Sequence, residues 1–367
     1  MGLIAIDGRK YFDYGIGTYV RELVRSLRAL ESAHKFLLYS SPEDTHAIPP
    51  SPGWEIVEVG YKKYSLQEIL LLGRRAKRQG VQVFHEPHYT LPIGLGGRSV
   101  VTIHDIIHLR FPQYFSRLER TYSHSMLWHS LNHSRFVIAV SEFTKQDILS
   151  TFHLEEKRIK VIPEGVGGQY RPMKNTPRIG EFKKQFGIQA PFILFVGNIK
   201  PHKDLPTLLE AFRILRRSKD VDLAIVGGLL RQDPSLARQA VEWGISDHIK
   251  ELGHLTDEEL VLAYNAAEAL VLPSRYEGFG LPALEAMACG TPVIVSNAAS
   301  LPEVVGNAAV IFGAGNAAEL GDSLATVLRE SSLQQDLIRK GKDRASKFTW
   351  TNAAKQTLAL YDHIASA

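Results

Sequence analysis

One stretch limits the fold of this chain more than any other. Ala269 to Pro273 and Pro292 to Ser296 are short apolar runs of the buried-strand kind, the second carrying the β-branched Val293, Ile294 and Val295. Between them lie a glycine-bracketed loop, Glu277-Gly278-Phe279-Gly280-Leu281, and a helix-sized segment that opens near Pro282 and closes at Gly290. Proline suits a first helical turn because its φ is fixed and its missing N–H would have had no partner there. Glycine suits the residue that ends a helix in the left-handed region. Strand, loop, helix and strand in that order predict a parallel α/β unit. The loop collects backbone amides at the positive end of a helix dipole, a place suited to a phosphate or diphosphate.

Two carboxylates flank that place, Glu277 on the loop and Glu285 about one turn into the helix, with seven residues between them. A ligand whose sugar-phosphate end lay over the helix start would put Glu285 near ribose hydroxyls and Glu277 near a transferred group. This constellation resembles the E-x7-E signature of retaining nucleotide-sugar glycosyltransferases of family 4. That resemblance implies an α/β protein of the GT-B fold: two facing, Rossmann-like, doubly wound parallel-sheet domains, with a C-terminal helix crossing back to the first.

The length of 367 residues suits two ordinary domains, and the 44% hydrophobic content suits a sizeable core. No 18-residue apolar run marks a spanning helix, and the N-terminus has neither a basic n-region nor a long h-region. The single cysteine, Cys289, excludes an intrachain disulfide and fits a reducing cytoplasm. Its position within the helix after the loop suggests a small packed residue rather than a nucleophile. The formal charge of +4 arises in the first 170 residues, with 21 Lys/Arg against 17 Asp/Glu, while the remainder holds 22 of each. Lys62, Lys63, Arg74, Arg75, Lys77 and Arg78, around the apolar Ile69 to Leu72, carry much of that excess. Such a segment could touch an anionic membrane surface where a lipid-linked acceptor is found; a core helix with a solvated basic face accounts for it equally well. Nothing in the chain resembles a nucleic-acid module.

In chain order, Leu3 to Asp7 is a first strand, followed by a loop containing Gly15 and Gly17 and by helical spacing at Tyr19, Val20, Leu23, Val24, Leu27 and Leu30. The loop is not G-x-G-x-x-G, because position 20 is Val, so a dehydrogenase fingerprint is absent. Phe36 to Tyr39, Glu55 to Val59, Val81 to Phe84, Val100 to Ile103 and Phe136 to Val140 read as further strands. Several deliver polar residues where a parallel strand ends: His85-Glu86-Pro87-His88 and His104-Asp105. Histidines 85, 88, 104, 108, 124, 129 and 133 are dense, but no His-Glu-x-x-His occurs, and no cysteine or evident carboxylate completes a metal set. Residues 163 to 180, rich in Gly and Pro, are the candidate hinge. The expected domains are residues 1–170, on the acceptor side and joined by a C-terminal helix over about 352–367, and residues 171–351, on the donor side.

The second half opens with the strand Phe192 to Val196 and the loop Gly197-Asn198-Ile199-Lys200-Pro201-His202-Lys203-Asp204. Lysine at a helix entrance supplies a point positive charge beside fixed amides, as a diphosphate requires. Asp222 to Val226 and Ile249 to Leu252 are further strands, and Thr256 with Glu259 spells a capping box.

The family resemblance assigns roles to these positions. It implies donor contacts from Gly15, Gly17, Gly197, Asn198, Lys203, Gly253, His254 and Leu255, from Glu277, Gly278, Phe279, Gly280 and Leu281, and from Glu285. It implies catalytic roles for His104, Asp105, Lys203 and Glu277, with no metal and no cofactor beyond the nucleotide-sugar co-substrate. Many family members have Arg where this chain has Asn198, so one of two expected cations is absent unless Lys200 replaces it. Glu303, after Leu-Pro, is expected to be structural. The Gly-Ile-Gly-Thr-Tyr loop and the Pro-x-Lys variant are most similar to mannosyl transferases of polysaccharide and O-antigen assembly. GDP-mannose is thus the first donor expectation, with UDP-glucose, UDP-N-acetylglucosamine and a deoxysugar donor open. The expected acceptor is a glycan or lipid-linked saccharide, at the cytoplasmic face of the inner membrane. A non-hydrolysing nucleotide-sugar epimerase and a catalytically silent nucleotide-sugar-binding subunit are the competing readings.

Overall fold

The computed structural model of the protein describes residues 2–13, 15–95, 97–173 and 176–366. Residues 14, 174, 175 and 367, which fall in the expected glycine loop, hinge and last helix, lie outside the described residues. The chain divides into two compact units, Met1–Gly165 with Thr349–Ala367, and Val166–Phe348.

The first unit is built on a parallel sheet of β1 (Leu3–Asp7), β2 (Lys35–Ser40), β3 (Trp54–Glu58), β4 (Val83–Glu86), β5 (Ser99–Ile103), β6 (Phe136–Ala139) and β7 (Ile159–Val161). Their spatial order is β3-β2-β1-β4-β5-β6-β7. The second unit holds β8 (Phe192–Val196), β9 (Asp222–Val226), β10 (Ile249–Gly253), β11 (Ala269–Leu272), β12 (Val293–Ser296) and β13 (Val310–Phe312), ordered β10-β9-β8-β11-β12-β13. Both sheets are thus doubly wound and Rossmann-like, as expected.

The apolar runs explain this arrangement. In β11 and β12 the pairs Leu270–Val293, Val271–Ile294 and Leu272–Val295 stand side by side and none is more than 1% exposed. Strands covered by helices on both faces need apolar side chains on both, and each buried Val, Leu or Ile contributes about 1.5–3 kcal/mol. The helix Ile16–Arg28 buries Tyr19, Val20, Leu23, Val24 and Leu27, the face its spacing predicts. The C-terminal helix Trp350–Ala365 joins the same core through Ala353, Ala354, Tyr361 and Ile364.

Local signals hold with small shifts. Ser141 caps Glu142–Thr151, and Thr256 forms the capping box with Glu259. The helix after the central loop spans Leu281–Cys289 and ends at Gly290, whose φ is +81°; Pro282 is its second residue rather than its first. The expected strand Val81–Phe84 is displaced to Val83–Glu86, because β1 pairs Ala5 with Phe84 and Ile6 with His85. His85 therefore lies inside the sheet, its Nδ1 2.5 Å from the Tyr361 hydroxyl and its Nε2 2.8 Å from Thr102 Oγ1. Burial pushes this imidazole down to about 3. Cys289 is packed as expected, and burial, reinforced by Glu285, pushes its thiol up to about 12.

Candidate active site

In each sheet the strand order reverses once, between β1 and β4 and between β8 and β11. Loops leaving the two strands at such a point depart to opposite faces and leave a crevice beyond their carboxyl ends.

In the second unit the crevice loops are Gly197–Asp204, after β8, and Pro273–Gly280, after β11. Three contacts join them. Lys203 Nζ donates to Glu277 Oε1 at 2.6 Å, the Arg275 N–H donates to the His202 carbonyl at 2.7 Å, and Arg275 Nε donates to Asp204 Oδ2 at 2.9 Å. Asp204 is a non-glycine residue at φ +52°, and its carboxylate also accepts the Thr207 hydroxyl at 2.9 Å. A left-handed residue persists where its surroundings determine it, and here the aspartate is buried and doubly bonded. Serines fix the second loop: Ser274 Oγ donates to Glu277 Oε1 at 2.7 Å, Ser296 Oγ to the Ser274 carbonyl at 2.5 Å, and Ser300 Oγ lies 2.8 Å from the carbonyls of Glu277 and Phe279.

Gly280 ends that loop at φ +106°, and a Cβ there would lie 2.7 Å from Leu301 Cδ2. No side chain caps the helix Leu281–Cys289 that follows. Lys203 and Glu277 are only 16% and 14% exposed, so the pair sits half out of water at the helix entrance. On the other side of β8, the Gly197 N–H reaches the Val226 carbonyl at 2.9 Å and the Gly227 N–H the Gly253 carbonyl at 2.7 Å. His254 beyond it is exposed and Leu255 half-buried. Asn198 and Lys200 are exposed. Phe279 turns its ring inward, edge-on to Phe348 with centroids 5.8 Å apart. Glu285 is 5% exposed and accepts the Tyr264 hydroxyl at 2.7 Å. Burial and this carboxylate together hold the phenols of Tyr170 and Tyr264 above the usual range.

In the first unit, Gly15 takes φ +68° immediately before the helix Ile16–Arg28. Gly17 is required by packing, since a Cβ there would lie 2.8 Å from the Tyr11 carbonyl oxygen and 2.9 Å from that of Lys10. His104, after β5, donates from Nε2 to the Pro87 carbonyl at 3.1 Å and faces Glu164 Oε1 from Nδ1 at 3.1 Å. Its ring meets Tyr19 edge-on at 4.9 Å. Asp105 Oδ1 accepts the Ile107 N–H at 3.0 Å, so this carboxylate starts the short helix Ile107–Arg110. The histidines of the helix Arg117–His133 go elsewhere: His124 lies against Phe152, and His129 stacks on His133. Among the described residues no group of three His, Cys, Asp or Glu is placed to hold a metal ion.

Comparison with known proteins resolves what this architecture belongs to. The model described as Glycosyltransferase Family 4 matches residues 14–167, and that described as Glycosyl transferases group 1 matches residues 179–344. The chain is a family 4 glycosyltransferase. Over 98% of its length it is 28% identical to an O-antigen chain mannosyltransferase B of Escherichia coli, 98% of which is covered. It is 34% identical, over 62% of its own length and 53% of the relative's, to an MMP alpha-(1->4)-mannosyltransferase of Mycolicibacterium hassiacum. A sucrose-phosphate synthase from Thermosynechococcus elongatus has the same GT-B fold, with a TM-score of 0.79, 22% identity and 99% of each chain covered.

Several residues that shape this glycosyltransferase's two crevices escape sequence reasoning. Arg275 and Asp204 join the two crevice loops of the second unit across 71 residues of chain, and Glu164 meets His104 across 60. Neither pairing has a local periodicity to announce it. Tyr264, which holds Glu285, lies in the helix Asp257–Ala266 among the buried Val261, Leu262 and Ala263, where an aromatic residue reads as core.

Proposed function

We propose that the chain moves a hexose, in the first instance mannose from GDP-mannose, from a nucleotide sugar to a glycan or lipid-linked saccharide with retention of configuration. The observation that carries this reading is the Lys203–Glu277 pair at a strand-order reversal, beside the uncapped helix Leu281–Cys289. The diphosphate's charge takes Lys203 and the amides near Gly280, and Glu277, released from the lysine, orients the donor sugar. Preorganised donors of this kind stabilise a leaving group as its charge develops, and they need no metal to do it. Glu285, braced by Tyr264, binds ribose hydroxyls. His104, held between Pro87 and Glu164, contacts the reacting sugar or the acceptor hydroxyl, and Asp105 sets the backbone after it. Retention follows a front-side route in which the leaving phosphate accepts the acceptor's proton. Mannose is favoured because the O-antigen and MMP relatives carry that sugar in their names.

No helix among the described residues is long and apolar enough to cross a membrane. A peripheral contact is supported by Lys62 and the basic helix Gly73–Arg78, beside the exposed Leu66 and Leu70. The test is a melting-temperature screen of nucleotide sugars. A ligand at 100 times its Kd adds about 2.7 kcal/mol. GDP-mannose is expected to give the largest shift, and Lys203→Ala to abolish it. A screen in which no nucleotide sugar shifts the melting point overturns the reading.

A further inference from the structure

Beyond the carboxyl ends of β1 and β4, the first unit gathers charge that the roles above leave unused. Asp7 ends β1, Glu86 ends β4, and Arg9 and Lys10 follow β1. Arg9 is 2% exposed and committed: its guanidinium pairs with Asp7 and donates to Glu68 Oε1 at 2.7 Å. Glu86 is not. It is 1% exposed, and its Oε2 has no hydrogen-bond partner among the described residues. Burial, with Asp7 and Glu68 nearby, pushes its carboxyl well above the usual range. Buried polar atoms in folded proteins are almost always partnered, so an orphan at the mouth of a sheet crevice asks for a ligand.

The surroundings describe that ligand. Lys10 Nζ, itself nearly buried, donates to the Tyr64 hydroxyl at 2.5 Å. Tyr64 stands at φ +63°, its N–H taken by the Glu68 carboxylate, so the loop holds this half-exposed ring in a left-handed backbone that tyrosine rarely adopts. From it runs a row of rings: Tyr64 to His88 at 5.9 Å, His88 to Tyr89 at 3.9 Å, Tyr89 to His108 at 6.0 Å. Tyr122 adds a buried hydroxyl without a partner among the described residues; burial raises its phenol, and Glu68 and Glu86 add to the effect. An orphan carboxyl wants hydroxyl donors, and aromatic faces suit the C–H faces of a pyranose. The crowded acidic groups of Asp7, Glu68 and Glu86 disfavour a further anion such as a phosphate or a uronate, and Arg9 already fills the place of a metal ion between Asp7 and Glu68.

We infer that Glu86, with Lys10 and the Tyr64–His88–Tyr89 rings, binds the neutral terminal sugar of the acceptor through its hydroxyls. The inference rests on the transferase reading above and names the chemistry of the second substrate. Its position fits, because Pro87, next to Glu86, supplies the carbonyl that His104 bonds. The lipid or phosphate part of the acceptor lies outside this site.

Saturation-transfer NMR on the full chain tests it with neutral methyl glycosides of mannose, glucose and galactose, and with methyl glucuronide. The wild type is expected to bind at least one neutral glycoside and to bind the glucuronide tenfold or more weakly. Glu86→Gln and Tyr64→Ala are each expected to weaken the neutral glycoside by about tenfold or more, the effect of losing a buried carboxyl hydrogen bond or a stacking face. Tyr64 is half-exposed, so its variant keeps the test open if Glu86→Gln does not fold. Both variants should retain the melting shift given by the nucleotide sugar, which shows a folded chain with an intact donor side. Binding by both variants equal to wild type, glucuronide binding as strong as the neutral glycosides, or no saccharide binding at all overturns the inference while leaving the donor reading standing. Absence of a nucleotide-sugar shift in the wild type overturns the transferase reading instead.

Discussion

Lys203→Ala separates what the Lys203–Glu277 pair contributes to folding from its proposed part in catalysis. At 2.6 Å and an effective dielectric of about 20, the gross attraction is roughly 6 kcal/mol, most of it offset by the cost of taking two ions partly out of water. The pair is therefore close to neutral for stability, but its halves are not. Removing one partner of a buried pair costs about 3–5 kcal/mol; at 16% and 14% exposure, solvent screens the remaining charge, and the expected loss is about 2 kcal/mol. For a unit of this size that lowers the melting temperature by roughly 4–8 °C. Glu277→Gln in the Lys203→Ala background should recover most of the loss, because no charge is then stranded. On the proposed mechanism transfer behaves differently: each single variant and the double variant should lose about 10²–10³ in kcat, since the charge proposed to meet the leaving group is gone in all but Glu277→Gln, which would lose the proposed sugar orientation. Calorimetric melts and initial rates across the four chains complete the cycle. Additive stability losses, or a Lys203→Ala chain as stable and as active as wild type, refute the reasoning.

Two further outcomes follow from the geometry. Gly17→Ala forces a Cβ to within 2.8 Å and 2.9 Å of two backbone carbonyl oxygens that cannot move independently, so it should destabilise the first unit by about 1–3 kcal/mol, read as a lower denaturant midpoint. His85 is neutral when folded but takes a proton below about 6.5 when unfolded, so its contribution is complete above that pH and fades as the pH falls toward 3. Between pH 7 and pH 5 this residue alone should remove about 2 kcal/mol of stability, and His85→Gln should flatten that slope in urea titrations at the two pH values.

Strands, glycine loops and caps are legible in this sequence because each depends on residues within a few positions. Leu270 to Leu272 and Val293 to Val295 announce a buried parallel pair, and Thr256 with Glu259 announces a helix start. The central loop is legible because Gly280, Pro282 and Gly290 punctuate it. The partners of the site residues are not legible in this way. Glu164 reaches His104, Arg275 reaches Asp204 and Tyr264 reaches Glu285 only after the sheets have formed. Asp105 reads in sequence as a catalytic carboxylate, yet its Oδ1 serves the backbone of Ile107. His85 and Glu86 read as loop residues because polarity at a strand end resembles a loop; pairing with β1 and the Tyr361 hydroxyl draw His85 into the sheet.

The most direct test is the anomeric configuration of the product. The chain is incubated, with a chelator present, with the α-linked nucleotide sugar that raises its melting point most and with the neutral glycoside it binds. The new linkage is then followed by proton NMR from the first turnovers. A new α-glycoside, formed at the same rate with and without chelator and lost in Lys203→Ala, is the expected result. A β-glycoside, or a free 2-epimerised sugar released without an acceptor, contradicts the account.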